Sequence, residues 1–129
     1  MSSIFSKIIA GEIPAYKVAE NDDYLAFLDI FPLQKGHVLV VPKVEVDYIF
    51  DLEDDVYSGL MTFAKEVAKK INKVIDCDRI GVTVIGLEVA HAHVHLIPIR
   101  QESDMNFSKP KLQLSSEEME EIALSIKSA

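Results

Sequence analysis

The stretch His91-Ala92-His93-Val94-His95-Leu96-Ile97-Pro98 decides how the rest of the chain is read. It holds three of the four histidines in the protein, at alternate positions. An extended strand turns successive side chains to opposite faces. A strand here sets His91, His93 and His95 on one side, in steps of about 6.6–6.8 Å. It sets Ala92, Val94 and Leu96 on the other. A helix would scatter the histidines, because residues i and i+2 do not share a helical face. The aliphatic set reads as the buried side of a sheet, with the imidazoles lining the opposite face.

Three readings compete for such a stripe. In one, a neutral imidazole acts as a nucleophile while its neighbours orient it and handle protons. In another, His-x-His presents two nitrogens to a zinc ion. In the third, the histidines are simply polar residues on a wetted face. Titratable groups gathered on one face favour a site.

The pattern His-apolar-His-apolar-His-apolar-apolar, from His91 to Ile97, resembles the signature of the histidine-triad (HIT) nucleotide hydrolases and transferases. The run Ile4-Phe5-Ser6-Lys7-Ile8-Ile9-Ala10-Gly11-Glu12-Ile13-Pro14 resembles that family's opening. Leu25-Ala26-Phe27-Leu28-Asp29-Ile30 and Gly36-His37-Val38-Leu39-Val40-Val41-Pro42-Lys43 resemble its next two motifs, in the same order. The likeness runs from Ile4 to about Ile99.

Size and composition bound the function classes. At 129 residues the chain reads as one domain, with a motif-bearing core at about 4–99 and a C-terminal loop and helix at about 100–129. Its net charge of −8 and its lack of a Lys/Arg cluster argue against nucleic-acid binding. The single cysteine, Cys77, excludes an intrachain disulfide and fits a reducing compartment. No apolar run approaches the ~20 residues of a membrane span, and the N-terminus has no signal-like hydrophobic core. A cytoplasmic protein without membrane attachment is expected.

The remaining segments predict an α+β fold: an antiparallel sheet of about five strands, a long helix, and short terminal helices. Ser2 or Ser3 caps a helix over Ile4–Ala10 that Gly11 closes. Tyr16–Ala19 and Tyr24–Leu28 read as strands around a turn at Glu20-Asn21-Asp22-Asp23. His37–Val41 is apolar beyond its first residue, as a central strand would be. Asp47–Leu52 reads as a short helical turn. From Glu53 to about Val74, Val56, Leu60, Phe63, Ala64, Val67, Ile71 and Val74 recur at helical spacing. Acids open this helix and lysines close it, which matches its dipole. Arg79–Ile85 reads as a strand, and Arg100–Lys111 as loop. Ser115-Ser116-Glu117-Glu118 reads as a capping box before a last helix. The acids beside Cys77 disfavour its thiolate.

The resemblance implies roles for particular residues. It makes His93 the nucleophile and His91 and His95 its flanking donors to phosphate oxygens. His37 becomes a fourth histidine that steadies them, and Asp29 the ligand of a ribose. The purine of a nucleoside monophosphoryl substrate, a phosphoramidate or a dinucleoside polyphosphate, would lie against Ile4, Phe5, Ile8, Phe27 and Ile30. A covalent nucleotidyl-histidine and a homodimer with a continuous sheet are implied as well. No cofactor is required, though Mg²⁺ could accompany a polyphosphate. In many relatives the positions of Ser3 and Ser6 are cysteines that hold a structural zinc with a histidine near position 45. Ser3, Ser6 and Glu45 are poor replacements, so no metal site is expected there. The family's loop before the triad ends in a Ser or Thr donor; Glu88 stands there on a shortened loop and disfavours an anionic leaving group. Two other functions are weighed: a metal-binding module using His91, His93 and His37, and a catalytically silent nucleotide sensor.

Overall fold

The computed structural model describes residues 2–129. Its sheet is built outward from the apolar run after His37. Strands β1 (Lys17–Glu20), β2 (Tyr24–Leu28), β3 (Val38–Pro42), β4 (Arg79–Thr83) and β5 (Val94–Ile99) pair in the order β1-β2-β3-β5-β4, every pair antiparallel. Helices α1 (Ile4–Ile9), α2 (Asp54–Val74) and α3 (Ser116–Lys127) complete the α+β architecture, with 3₁₀ turns at Ile49–Asp51 and Glu102–Met105. β3 is the middle strand, and all five of its residues are buried. A strand covered on both faces reads as a continuous apolar run.

Each face of the sheet carries its own core. On one, Val38, Val40, Val94 and Leu96 meet Leu60, Phe63, Ala64, Val67 and Ile71 of α2 and Met119 and Ile126 of α3. Each fully buried large side chain there is worth about 1.5–3 kcal/mol. On the other, Leu25, Phe27, Leu39 and Val41 meet Phe5 and Ile8 of α1. The period-two alternation of β2, β3 and β5 sorts these two sets.

Local chemistry sets the ends of the elements. Ser3 Oγ accepts from Ser6 N to start α1, and Gly11, at φ +80°, turns the chain beyond it. Gly59 lets α2 approach β2 so closely that a Cβ there would overlap the Tyr24 hydroxyl, which donates to Val56 O. Ser115 Oγ accepts from Glu118 N to cap α3. β4 is shorter than Arg79–Ile85, because its ladder with β5 stops at the Thr83–His95 pair. Among the described residues no helix is long and apolar enough to cross a membrane.

Candidate active site

The sheet itself holds only one histidine of the triad. His95 lies in β5, opposite Leu39 of β3 and Thr83 of β4. His91 and His93 precede the strand, which corrects the expectation of one strand through all three. Ala92 N–H leaves the sheet to donate to Val46 O, and the His93 ring reaches back to His91 O, which breaks the regular ladder. The alternation nevertheless survives: Ala92, Val94 and Leu96 enter the helix-covered core. The imidazoles on the other side are not wetted. His91 is 0% exposed, His37 1%, His93 6% and His95 7%.

Hydrogen bonds assign the ring protons. A carbonyl only accepts, so His93 Nδ1, 2.8 Å from His91 O, carries a proton. The neutral ring therefore has its lone pair on Nε2. By the same argument His91 Nε2–H donates to Pro42 O at 2.8 Å, which leaves His91 Nδ1 to accept from Ser3 Oγ at 2.8 Å. Leu33 N–H donates to His37 Nδ1, so His37 carries its proton on Nε2 and donates to His95 Nδ1 at 3.0 Å. His95 is then an Nε2–H donor. Among the described residues no buried side-chain nitrogen or oxygen lacks a partner. The Nε2 atoms of His93 and His95 have none in the protein, so the slight exposure of these rings lies at those atoms. The lone pair of one and the proton of the other face outward, on rings 5.0 Å apart.

His91 departs from its expected part. Both of its ring nitrogens bond to the protein and it has no exposure, so it has no proton to offer a phosphate oxygen. Its backbone carbonyl instead fixes the tautomer of His93.

Burial sets the electrostatics. It depresses His37 to about 3 and His95 to about 4, each further lowered by its histidine neighbour, and it lowers His93 as well. Desolvation likewise raises Asp29, whose Oδ1 accepts from Phe31 N. Asp29 Oδ2 lies 3.6 Å from His37 Nε2, a contact with a neutral ring rather than an ion pair. Asp29 thus caps a turn with one oxygen and keeps the other at the histidines. Cys77 is also raised, first by burial and only then by Asp76 and Asp78.

Asp29, His37 and His95 stand close enough to share a metal ion. The Leu33 N–H opposes this. It needs a lone pair on His37 Nδ1, which keeps a proton on Nε2, the nitrogen that a metal would require. Among the described residues His91, His93 and His37 do not bring three ligand atoms together in this way.

The expected base-binding residues divide. Phe5 meets the His93 ring at 4.9 Å and Phe27 at 5.5 Å. Ile8 and Phe27 lie inside the α1-side core with almost no free surface, so they support the site rather than line it. Ile4 and Ile30 are exposed. Glu88 is exposed, yet its charge acts on both Asp29 and His93.

Two residues escaped the sequence reading. Phe107 stands 5.0 Å from the His95 ring and 6.2 Å from that of His37. The Lys111 ammonium, held by the carbonyls of Phe107 and Lys109, lowers both Asp29 and His37. The available signal was an isolated aromatic: Phe107 is the only one after Phe63.

Comparison with known proteins places the chain in a family. The HIT domain family matches residues 10–102. The chain belongs to the HIT family. Among other HIT proteins, it is 36% identical over 137 residues to the adenosine 5′-monophosphoramidase of Schizosaccharomyces pombe, covering 98% of this chain and 100% of that one. It superposes on the crystal structure of a HIT-like protein from Bartonella henselae with a TM-score of 0.86 at 30% identity, covering 98% and 95% of the two chains. A zinc-bound histidine triad family protein from Mycobacterium smegmatis superposes with a TM-score of 0.81 at 25% identity, covering 99% and 92%.

Proposed function

We propose that this protein is a nucleotide hydrolase that transfers a nucleoside monophosphoryl group first to His93 and then to water. The observation that carries the reading is the outward pair of nitrogens, a fixed lone pair on His93 Nε2 beside a proton on His95 Nε2. In this scheme His93 Nε2 attacks the α-phosphorus and the bond to the leaving group breaks, an amine taking up a proton from solvent as it departs. The positive charge on the nucleotidyl-imidazole is shared with His91 O through Nδ1–H. His95 Nε2–H stabilises a phosphoryl oxygen, the kind of contact that lowers the barrier most. Water then displaces His93, and its proton leaves with the product or solvent. Asp29 Oδ2 is the acceptor for ribose hydroxyls, and Ile4 and Ile30 offer apolar surface to a purine.

The phosphoramidase relative points to an amine leaving group, and Glu88 favours the same choice by repelling an anionic one. Adenosine phosphoramidate is therefore expected to be cleaved faster than a dinucleoside polyphosphate. Turnover of label-bearing adenosine phosphoramidate, stopped in alkali and followed by digestion, tests the intermediate. Label on the His93 peptide during turnover is expected. Product without protein-bound label overturns the covalent route, and absence of product for every substrate leaves a nucleotide sensor.

Ser3, Ser6 and Glu45 offer two hydroxyls and a carboxylate already bonded to one another and to His91, a poor set for zinc. Dialysis against EDTA is expected to leave the melting temperature unchanged. A homodimer fits the outer edge of β4, where Val82 is exposed and Val84, Ile85 and Leu87 follow, also exposed. Light scattering across a dilution series tests it.

A further inference from the structure

We infer that Ser3, Ser6 and Glu45 form a positioning clamp that holds the nucleophile through His91. This rests on the reading of His93 as the nucleophile. The clamp is continuous in hydrogen bonds from the surface to the reacting ring. Glu45 Oε1 accepts from Ser3 N and from Ser6 Oγ, both at 2.6 Å. Ser3 Oγ accepts from Ser6 N at 3.0 Å and donates to His91 Nδ1 at 2.8 Å. Ser6 Oγ lies 3.5 Å from the same nitrogen. The far end of the His91 ring donates to Pro42 O, and the backbone carbonyl of the same residue accepts from His93 Nδ1 at 2.8 Å.

The acceptors in this chain direct its protons. Glu45 is acceptor only, so both serine groups facing it must donate. With Ser6 O–H committed to Glu45, Ser3 O–H is the donor left for His91. A donor at His91 Nδ1 favours the tautomer with its proton on Nε2. The ring is then pinned at both nitrogens, between the cap of α1 and the end of β3. Its carbonyl has one direction in which to meet His93. Removing the Ser3 hydroxyl leaves His91 Nδ1 with no donor nearer than the Ser6 hydroxyl, 3.5 Å away and bonded to Glu45, so the ring loses the closer of its contacts at that nitrogen. The clamp also includes α1 itself, whose Phe5 ring meets both His91 at 5.8 Å and His93 at 4.9 Å. An exposed glutamate is thereby tied to the orientation of a buried nucleophile.

The test uses Ser3→Ala, Ser3→Thr and Glu45→Gln in the full chain. With only four histidines in the protein, ring ¹⁵N spectra report each tautomer directly. Wild type is expected to show the proton of His91 on Nε2 and that of His93 on Nδ1. Ser3→Ala should lower kcat by about tenfold to a hundredfold, as misplacement of a reacting group does. KM should change less than about twofold, and the Nδ1–H signal of His93 should weaken. Ser3→Thr keeps the hydroxyl and the cap and should restore both readouts. Glu45→Gln should give the same effects at smaller size. Folded Ser3→Ala protein with wild-type kcat and an unchanged His93 tautomer overturns the clamp. So does equal loss in Ser3→Ala and Ser3→Thr, which would show that the effect does not follow the hydroxyl. If His93→Ala retained activity the nucleophile assignment would fail instead, and the spectra would still decide whether Ser3 orients His91.

Discussion

Phe5 meets the ring of His93 at 4.9 Å and Phe107 meets that of His95 at 5.0 Å, yet unlike structures hold the two flanks. Phe5 is buried and belongs to a helix packed on Leu25, Phe27, Leu39 and Val41. Phe107 is half-buried in a segment without regular structure. That segment is fastened by polar bonds, Lys111 Nζ to Phe107 O and Leu112 N to Pro32 O. The first flank gives the site its geometry, since α1 carries Phe5 and Ser6 and its cap, Ser3, bonds to His91 in the chain that leads to His93. The second gives it a low dielectric and one cation. Geometry and environment are thus supplied by opposite ends of the sequence.

The largest test removes what both flanks enclose. His93→Ala should reduce kcat by at least about a thousandfold, given that a lost nucleophile leaves only binding and charge stabilisation. Folding and nucleotide affinity should persist, and calorimetric titration with AMP checks the latter. Loss of soluble protein would make His93 structural and undo the comparison.

Next comes the pair Phe5→Ala and Phe107→Ala. Truncating Phe5 opens a hole in a packed core and should cost about 3–5 kcal/mol of stability by urea unfolding. Truncating Phe107 should cost only about 1 kcal/mol, a typical value for a partly buried site. It should instead let the pKa of His95 rise towards its ordinary value, because burial is the main cause of its depression. NMR titration of His95 reads this. Equal stability losses would erase the distinction between the flanks.

Acid should sharpen it further. Folded His37 and His95 titrate at about 3 and 4, against about 6.5 in an unfolded chain. Between pH 6.5 and about 3 the unfolded chain binds protons that the folded one refuses, so stability falls as pH falls through that window, His95 ceasing to contribute below about 4. Above it these groups contribute no slope. Asp29, raised by burial, acts in the opposite sense within the carboxylate range. Each 1 kcal/mol lost should lower Tm by about 3–6 °C at this size. Phe107→Ala should flatten the slope.

The smallest effect concerns the charges at the rim. Glu88→Ser should raise kcat/KM for a dinucleoside polyphosphate by about threefold to tenfold relative to a phosphoramidate, that is, up to ~1.4 kcal/mol. An unchanged ratio would mean that Glu88 turns away from the leaving group.

These contrasts follow what a sequence can express. The strands, both long helices and the sidedness of the histidine stripe were legible, because apolar periodicity and caps are local. Asp29, His37, His93 and His95 were picked out and do meet. Their meeting depends on the β3–β5 register, which sets Leu39 opposite His95 and carries His37 to its Nδ1. No local pattern encodes that register. The part of His91 was missed because the partner of each nitrogen, Ser3 and Pro42, is remote in sequence. Phe107 and Lys111 were missed because a polar segment has no period to read, and bonds remote in sequence, such as Leu112 to Pro32, fold it over the site.

The place of His95 in the central ladder has a dynamic consequence. Its neighbours on both strands are paired, so its amide is released only when the sheet comes apart, and its hydrogen exchange should track global unfolding. His91 and His93 precede the paired region and hang on side-chain bonds and on a few backbone bonds such as Ala92 to Val46. Their amides should exchange through smaller openings. The triad therefore straddles a border of local stability, with His95 inside the paired sheet and His93 just outside it, held by its bond to His91 O rather than by the ladder.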